Sequence, residues 1–247
     1  MTDLHHTRRA PILDGRLSTA MELAGNSRIF ADIGADHGRL STVMLLQDSE
    51  RQAIVADISA SALEKAIQRI KRMGLEDRTF FSVADGLRAL DNAPVVPDTV
   101  FILGMGGDTV STILQTGFDR LNGAALVLGA QTELPLMRKA LCSISYRIVR
   151  EVIATENSRD YVLVRAEPSK DVQYSEEELL LGPVFLQDMP ASWKPVLLRR
   201  ERLLTKAVQA MQSTRKNKDQ ERLLLAEREL QYVENALARM KEGSSRS

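Results

Sequence analysis

The sequence predicts an α/β protein: a mostly parallel, seven-stranded sheet with helices around it, followed by an α-helical hairpin of coiled-coil type. Three observations lead there. Short apolar runs lacking apolar/polar alternation take turns with helix-patterned stretches through the first two thirds of the chain, as strands buried on both faces do. Successive runs end in glycine or aspartate. Beyond Pro168 the punctuation changes and long patterns of three- and four-residue spacing take over.

A helix over residues 13–25 precedes the first strand, Arg28 to Ile33, which stops at Gly34. A helix from Leu40 to Gln47 leads to a second strand, Gln52 to Asp57. Ser59 is placed to cap the next helix, in which Leu63, Ala66, Ile67 and Ile70 share a face before Gly74 ends it. Further strands are Thr79 to Val83, Thr99 to Leu103 and Ala124 to Leu128, separated by helices near Thr109 to Gln115 and Glu133 to Cys142. Tyr146 to Ala154 and Asp160 to Arg165 lie either side of the short polar connection Glu156 to Arg159, and pair antiparallel. These make one domain over residues 1–168.

Residues 169–247 form a helical extension. Lys170 to Glu178 is polar and acidic, and Gly182-Pro183 and Met189-Pro190 interrupt the stretch after it. A hairpin then spans about residues 192–241. Leu223, Ala226, Leu230, Val233, Leu237 and Met240 form a heptad seam, and Leu197, Leu204 and Met211 a matching one, with a polar turn from Ser213 to Gln220. Tracts this short pack on each other within one chain, so a monomer or weak dimer is expected.

Composition narrows the function classes. Apolar residues make 44% of the 247 and charged residues 27%, the balance of an ordinary folded protein. Cys142 is the single cysteine, so no internal disulfide forms and a cytoplasmic location is expected. No window reaches the roughly 18 apolar residues of a membrane span, and no signal sequence is apparent. The zero net charge hides an asymmetry: Lys194 to Lys218 holds eight basic residues and one acid, Glu201, so 8 − 1 = +7. Asp219 to Glu242 holds four basic and six acidic residues, or −2.

The chemistry gathers at the strand ends. Ala31-Asp-Ile-Gly-Ala-Asp-His-Gly38 is a strand, a turn and a helix start, with Gly34 and Gly38 freeing the backbone for a close ligand. Asp57 ends the second strand, 23 residues after Gly34, where an acid accepts hydrogen bonds from ribose hydroxyls. Asp85-Gly86 follows the third strand, where a cofactor base is recognised, and Gly104-Met-Gly-Gly107 follows the fourth. Each alone is an ordinary turn or cap, but parallel strands bring all four to one edge. A dinucleotide fingerprint would need glycine at the position of Asp36. A carboxylate there repels a pyrophosphate, whereas S-adenosylmethionine has no phosphate and carries an ammonium and a sulfonium.

Asp32-Ile-Gly-Ala-Asp-His-Gly38, Ala56-Asp57-Ile58, Ala84-Asp85-Gly86-Leu87 and Leu103-Gly-Met-Gly-Gly107 together resemble the bacterial tRNA (adenine-22-N1)-methyltransferase family. The likeness extends to Leu13-Asp-Gly-Arg-Leu17 and to Gly182-Pro183 with the hairpin. It implies a Rossmann-like class I methyltransferase domain that binds S-adenosylmethionine through Asp32, Gly34, Gly38, Asp57, Ile58, Asp85, Gly86, Gly104, Met105 and Gly106, and an extension that helps hold tRNA. One segment departs: after the fifth strand the family tends to show a Gln-Pro-Asn-like stretch, where this chain has Gly129-Ala-Gln-Thr-Glu133. The cofactor half is therefore better matched than the base half.

Adenine N1 is already a nucleophile, so alignment with the donor methyl matters more than a strong base. Acceptors near the exocyclic amine stabilise the cationic product, and Asp36, His37 and Asp108 are the catalytic candidates. The plain alternatives are a histidine bonded to its own turn and an aspartate capping the next helix. Arg199, Arg200, Arg202, Lys206, Arg215 and Lys216 are the candidates for tRNA phosphate, with Arg8, Arg9 and Arg16 at the other end. Trp193 is either a base-stacking platform or a packing anchor. No Cys/His cluster suggests a metal. The competing functions are a methyltransferase acting on a small molecule or protein, and a non-catalytic RNA-binding protein that keeps the fold.

Overall fold

A computed structural model describes residues 10–213 and 220–244, and the chain divides into two compact units, Met1–Val172 and Gln173–Ser247. The first unit opens with α1 (Gly15–Ala24), whose start is capped by the Asp14 carboxylate accepting from the Leu17 amide. Strands and helices then alternate as β1 (Ile29–Ile33), α2 (Arg39–Gln47), β2 (Gln52–Asp57), α3 (Ala60–Arg72), β3 (Thr79–Val83), β4 (Thr99–Met105), α4 (Gly107–Gly117), β5 (Ala125–Ala130), α5 (Leu134–Ser143), β6 (Tyr146–Glu156) and β7 (Arg159–Pro168). Ser59 caps α3 by accepting from the Ala62 amide.

The seven strands form one sheet in the order β3-β2-β1-β4-β5-β7-β6. The first five in space run parallel, while β7 is antiparallel to both β5 and β6. Every residue of β5 is buried, as are Phe30 to Ile33 of β1 and Ala53 to Ala56 of β2. Burial on both faces is why these runs carry no alternation. Phe30 and Phe101 meet edge to face in the core at 6.0 Å between centroids.

Several boundaries move from their expected places. β4 and β5 run past Leu103 and Leu128 through glycines read as stops. Gly129 stays in the sheet because a Cβ there would come within 2.6 Å of the Leu163 side chain, so the strand accepts only a bare backbone. The β6–β7 connection tightens to Asn157-Ser158, both at positive φ (49° and 61°), the two-residue turn whose twist suits a hairpin. A buried ion pair ties α5 to β6: Arg138 donates through Nε and Nη2 to Glu151 Oε1 at 3.1 and 3.0 Å.

In the second unit, two short helices stand where only a polar, punctuated segment was expected. α6 (Glu176–Leu181) begins with a reciprocal capping box between Ser175 and Glu178, and α7 (Pro183–Asp188) begins on proline. The long pair, α8 (Lys194–Ser213) and α9 (Gln220–Ser244), pack against each other. Leu197, Leu204 and Val208 of one and Val233, Ala236, Leu237 and Met240 of the other are buried. The turn expected between them lies mostly outside the described residues. Among the described residues no helix is long and apolar enough to cross a membrane.

Candidate active site

The order of strands reverses between β1 and β4, and ligands of open parallel sheets bind at the carboxyl ends there. A cavity of about 570 Å³ opens at that edge, walled by residues from the ends of β1, β2, β3 and β4 and from α1 and α4. Ten of the residues singled out from sequence lie on its wall: Asp32, Gly34, Asp36, His37, Asp57, Ile58, Asp85, Gly86, Gly104 and Met105.

The first turn owes its residue pattern to the backbone. Gly34, Asp36 and Gly38 all take positive φ (73°, 48° and 62°), so alternate residues sit in the left-handed region. Aspartate tolerates that region better than most side chains do, which gives Asp36 a conformational reason beside any chemical one. The amides of Gly34 and Ala35 donate to the Ala56 carbonyl at 2.8 and 3.0 Å, locking the turn to β2. A Cβ on Gly34 would fall 2.2 Å from Met105 Cε, because the Met105 side chain lies over that glycine.

Asp57 is held from both sides: its carboxylate accepts from the Asp36 amide at 3.1 Å and the Ser59 amide at 2.8 Å. Each oxygen keeps a second lone pair for a hydroxyl. Beside it Ile58 is 69% exposed, an apolar surface at the mouth of the cavity. Gly86 takes φ 56°, and a Cβ there would press on Ile113 at 3.1 Å, so α4 packs tightly behind the base-side wall.

Asp32 is buried. Burial raises its pKa from 3.8 to about 6, and the nearby Asp57 charge adds to the rise, while hydrogen bonding from Ser41 and the Arg16 charge oppose it. Ser41 Oγ donates to Asp32 Oδ2 at 2.5 Å. Arg16, expected with Arg8 and Arg9 to face phosphate, instead stands in the cavity wall. Its Nη1 is buried with no hydrogen-bond partner among the described residues. The Leu13-Asp-Gly-Arg-Leu17 likeness marks the residue but not its place, since α1 reaches the cavity only through the tertiary fold. Thr109, Thr112 and Gln131 also line the wall, although no sequence signal marks them.

Three expected residues lie off the wall. Gly38 is the N-cap of α2, and a Cβ there would sit 2.8 Å from the Ala66 Cβ, so its bareness serves the packing of α3 rather than a ligand. Gly106 caps α4 and lies under the Asp108 carboxylate, whose Oδ1 would be 2.5 Å from an added Cβ. Asp108 itself is exposed in the first turn of α4 and, among the described residues, makes no capping hydrogen bond. The His37 ring faces Asp36, Nε2 to Oδ2 at 3.6 Å, and among the described residues it makes no bond to its turn. Its carbonyl accepts from Arg69 Nε at 2.8 Å.

In the second unit Arg199, Arg200, Arg202 and Lys206 are exposed on α8. Arg200 Nε donates to Glu229 Oε1 at 2.6 Å, so part of the basic excess is met by α9. Arg215 and Lys216, like Arg8, Arg9 and Lys218, lie outside the described residues. Trp193 is 3% exposed and stacks on Phe185 at 5.4 Å, a packing anchor with no face left for a base. Among the described residues no group of three or more His, Cys, Asp or Glu is placed to hold a metal ion.

Comparison with known proteins matches this arrangement. A tRNA (adenine(22)-N(1))-methyltransferase of Bacillus subtilis (strain 168) is 30% identical over 185 residues, covering 72% of this chain and 77% of that protein. A Streptococcus agalactiae protein of the NADB-Rossmann superfamily superposes with a TM-score of 0.82 at 26% identity, covering 92% of this chain and 98% of the other. The M. capricolum TrmK structure, a complex with the cofactor product S-adenosylhomocysteine, gives a TM-score of 0.78 at 22% identity over 92% of this chain and 99% of its own. With the family pattern matching residues 30–234, the chain belongs to the tRNA (adenine(22)-N(1))-methyltransferase family.

Proposed function

We propose that the chain transfers a methyl group from S-adenosylmethionine to N1 of adenine 22 in tRNA. The observation that carries the reading is a cavity at the strand-order reversal of a family member, with a carboxylate at the end of each of β1, β2 and β3. That set suits ribose hydroxyls and an ammonium and repels a pyrophosphate.

The residues fit a nucleoside that carries an ammonium. Asp57, fixed by two amides, turns its remaining lone pairs to the ribose hydroxyls. Asp85 and Gly86 flank the base, and Ile58 supplies an apolar face for it. Asp32 lies where the ammonium of the donor stabilises its ionised form. When bound, the donor supplies an electrophilic methyl on a sulfonium. The N1 lone pair of adenine forms the new bond as the carbon–sulfur bond breaks, leaving a neutral thioether and a cationic ring. No proton has to leave before transfer, so the protein aligns the base and stabilises the charge that develops. Asp36 and His37, on the cavity wall, are the acceptors suited to the exocyclic amine. Asp108 reaches it only if the base enters from the α4 side.

A target base stacked within tRNA has to be drawn out, at about a few kcal/mol. Arg199, Arg202 and Lys206, with Arg215 and Lys216, supply phosphate contacts that offset this. We place the reaction in the cytoplasm, with no metal and with the chain acting as a monomer or weak dimer. Incubation with labelled donor and unmodified tRNA, followed by nucleoside mass spectrometry, is expected to yield 1-methyladenosine. Label in another nucleoside, or in none, would refute the reading. Sedimentation tests the oligomeric state.

A further inference from the structure

The turn that carries Asp36 and His37 is built on backbone that most residues avoid. Gly34, Asp36 and Gly38 stand at positive φ (73°, 48° and 62°), a run that persists only where its surroundings over-determine it. On one side the anchor is Asp57 of β2, whose Oδ2 accepts from the Asp36 amide at 3.1 Å. On the other side the anchor is α3. Ala66 packs against Gly38, where an added Cβ would fall 2.8 Å from that of Ala66. About one turn further along α3, Arg69 Nε donates to the His37 carbonyl at 2.8 Å, in a part-buried bond between residues 32 apart in sequence.

Arg69 lies in the last turn of α3, where a cation complements the helix dipole, but Lys71 and Arg72 share that turn and already do so. Its reach across to the loop calls for another reason. The His37 side chain is 45% exposed, with Asp36 beside it, so its place on the cavity wall follows from the peptide that carries it, and the Arg69 bond orients that peptide. The two anchors also differ in what else they do. Asp57 stands in the wall and faces the donor ribose on the reading above, so loosening it disturbs the cofactor. Arg69 lies off the wall and reaches the chemistry only through the turn.

We propose that Arg69 is a positioning residue for methyl transfer: by holding the His37 carbonyl it sets the imidazole where it meets the exocyclic amine of the target adenine. The proposal rests on the methyl-transfer reading above. A displacement of about 1 Å at a group that aligns a substrate costs up to about a hundredfold in rate. That loss falls on the transfer step and leaves binding of the donor alone.

The test uses the full-length chain, reads the rate of 1-methyladenosine formation at saturating S-adenosylmethionine and tRNA, and titrates each ligand by calorimetry. Arg69→Met keeps the apolar stem and donates nothing. Arg69→Gln removes the charge but keeps an N–H donor, since the glutamine amide nitrogen is as many bonds from the backbone as Nε. Arg69→Met is expected to lower kcat roughly 10- to 100-fold while both dissociation constants stay within about twofold. Arg69→Gln should hold kcat within about threefold of the wild type. In a His37→Ala background, Arg69→Met should cost less than about threefold more, because residues acting through one contact are not additive. An Arg69→Met chain at the full rate would overturn the proposal, as would a full additive loss in the His37→Ala background. So would kcat and donor affinity falling together, the mark of a residue that only braces the fold. Arg69→Gln as slow as Arg69→Met would overturn it too, and with a raised KM for tRNA would assign the guanidinium to a phosphate instead. A wild type that forms no 1-methyladenosine refutes the methyl-transfer reading and takes this proposal with it, whereas an active wild type with an unaffected Arg69→Met chain removes Arg69 alone.

Discussion

The cavity rim and the helical hairpin present their charges in opposite ways. At the rim, carboxylates are few and fixed: Asp57 is held by two backbone amides, and Asp32 is buried under a serine hydroxyl. On the hairpin, Arg202 and Lys206 stand exposed in a row, while Arg200 is met by Glu229 across the helix pair. Fixed, partly desolvated groups discriminate between ligands by geometry, because a misplaced partner leaves them unpaired. Exposed cations on flexible stems attract any phosphate and give way to salt. On the proposed reading the rim selects the small donor and the hairpin captures the polyanion, and each half of that division can be broken separately.

The largest effect is expected from Gly34→Val. A branched side chain at φ 73°, directed at Met105 Cε, strains the turn and fills the floor of the cavity. Donor affinity should fall at least about a hundredfold, while tRNA affinity stays within about twofold, as titrations with each ligand would read. A parallel loss of tRNA binding would break the division. Asp57→Ala comes next, weakening the donor by about 1.5–3 kcal/mol per charge-assisted bond lost. An unchanged dissociation constant would remove Asp57 from the ribose site.

Whether a residue's role is readable in the sequence depends on what that residue answers to. The strand ends are legible because glycine and aspartate recur where apolar runs stop, and the parallel sheet brings Asp32, Asp57 and Asp85 to one cavity. Gly38 and Gly106 look the same as Gly34 in the sequence, yet one is bare for Ala66 and the other for Asp108. A glycine reports that space is short, not what fills it. The place of Arg16 is hidden because it depends on where α1 settles, and α1 packs on β5, β6 and β7, far away in sequence. The heptad seam of the hairpin is legible, since helix period alone sets it. The Arg200–Glu229 pair is not, because it needs the register between two helices.

One rim residue yields opposite pH slopes. The folded-state pKa of Asp32, about 6, lies above its ordinary 3.8, so folding favours the protonated acid. Its contribution to stability is therefore fullest below pH 3.8 and is lost as pH rises through about 6. Donor binding is expected to run the other way on the proposed reading, in which the ammonium pairs with the ionised carboxylate. Affinity should drop by up to about tenfold for each pH unit below the Asp32 pKa. Calorimetry from pH 5 to 8 on the wild type and Asp32→Asn measures both; a pH dependence that persists in Asp32→Asn would assign it to another group.

The smallest expected effects lie on the hairpin, and they separate capture from mere surface charge. Arg202→Gln and Lys206→Gln should each weaken tRNA binding by no more than about 1 kcal/mol, since exposed charges contribute little singly. Each should also flatten the dependence of log affinity on log salt by about 0.7–0.9, the counterions released by one phosphate contact. Arg200→Gln is the internal control. Its guanidinium already has the Glu229 carboxylate as a partner, so forming a phosphate contact would mean giving up that pair, and the slope should change by less than for its neighbours. Donor affinity should be untouched in all three. Equal slope changes at positions 200, 202 and 206 would show that the Glu229 pair yields to tRNA. No slope change at any of them would leave the hairpin a solvated helix pair and move tRNA capture to other basic residues of the chain.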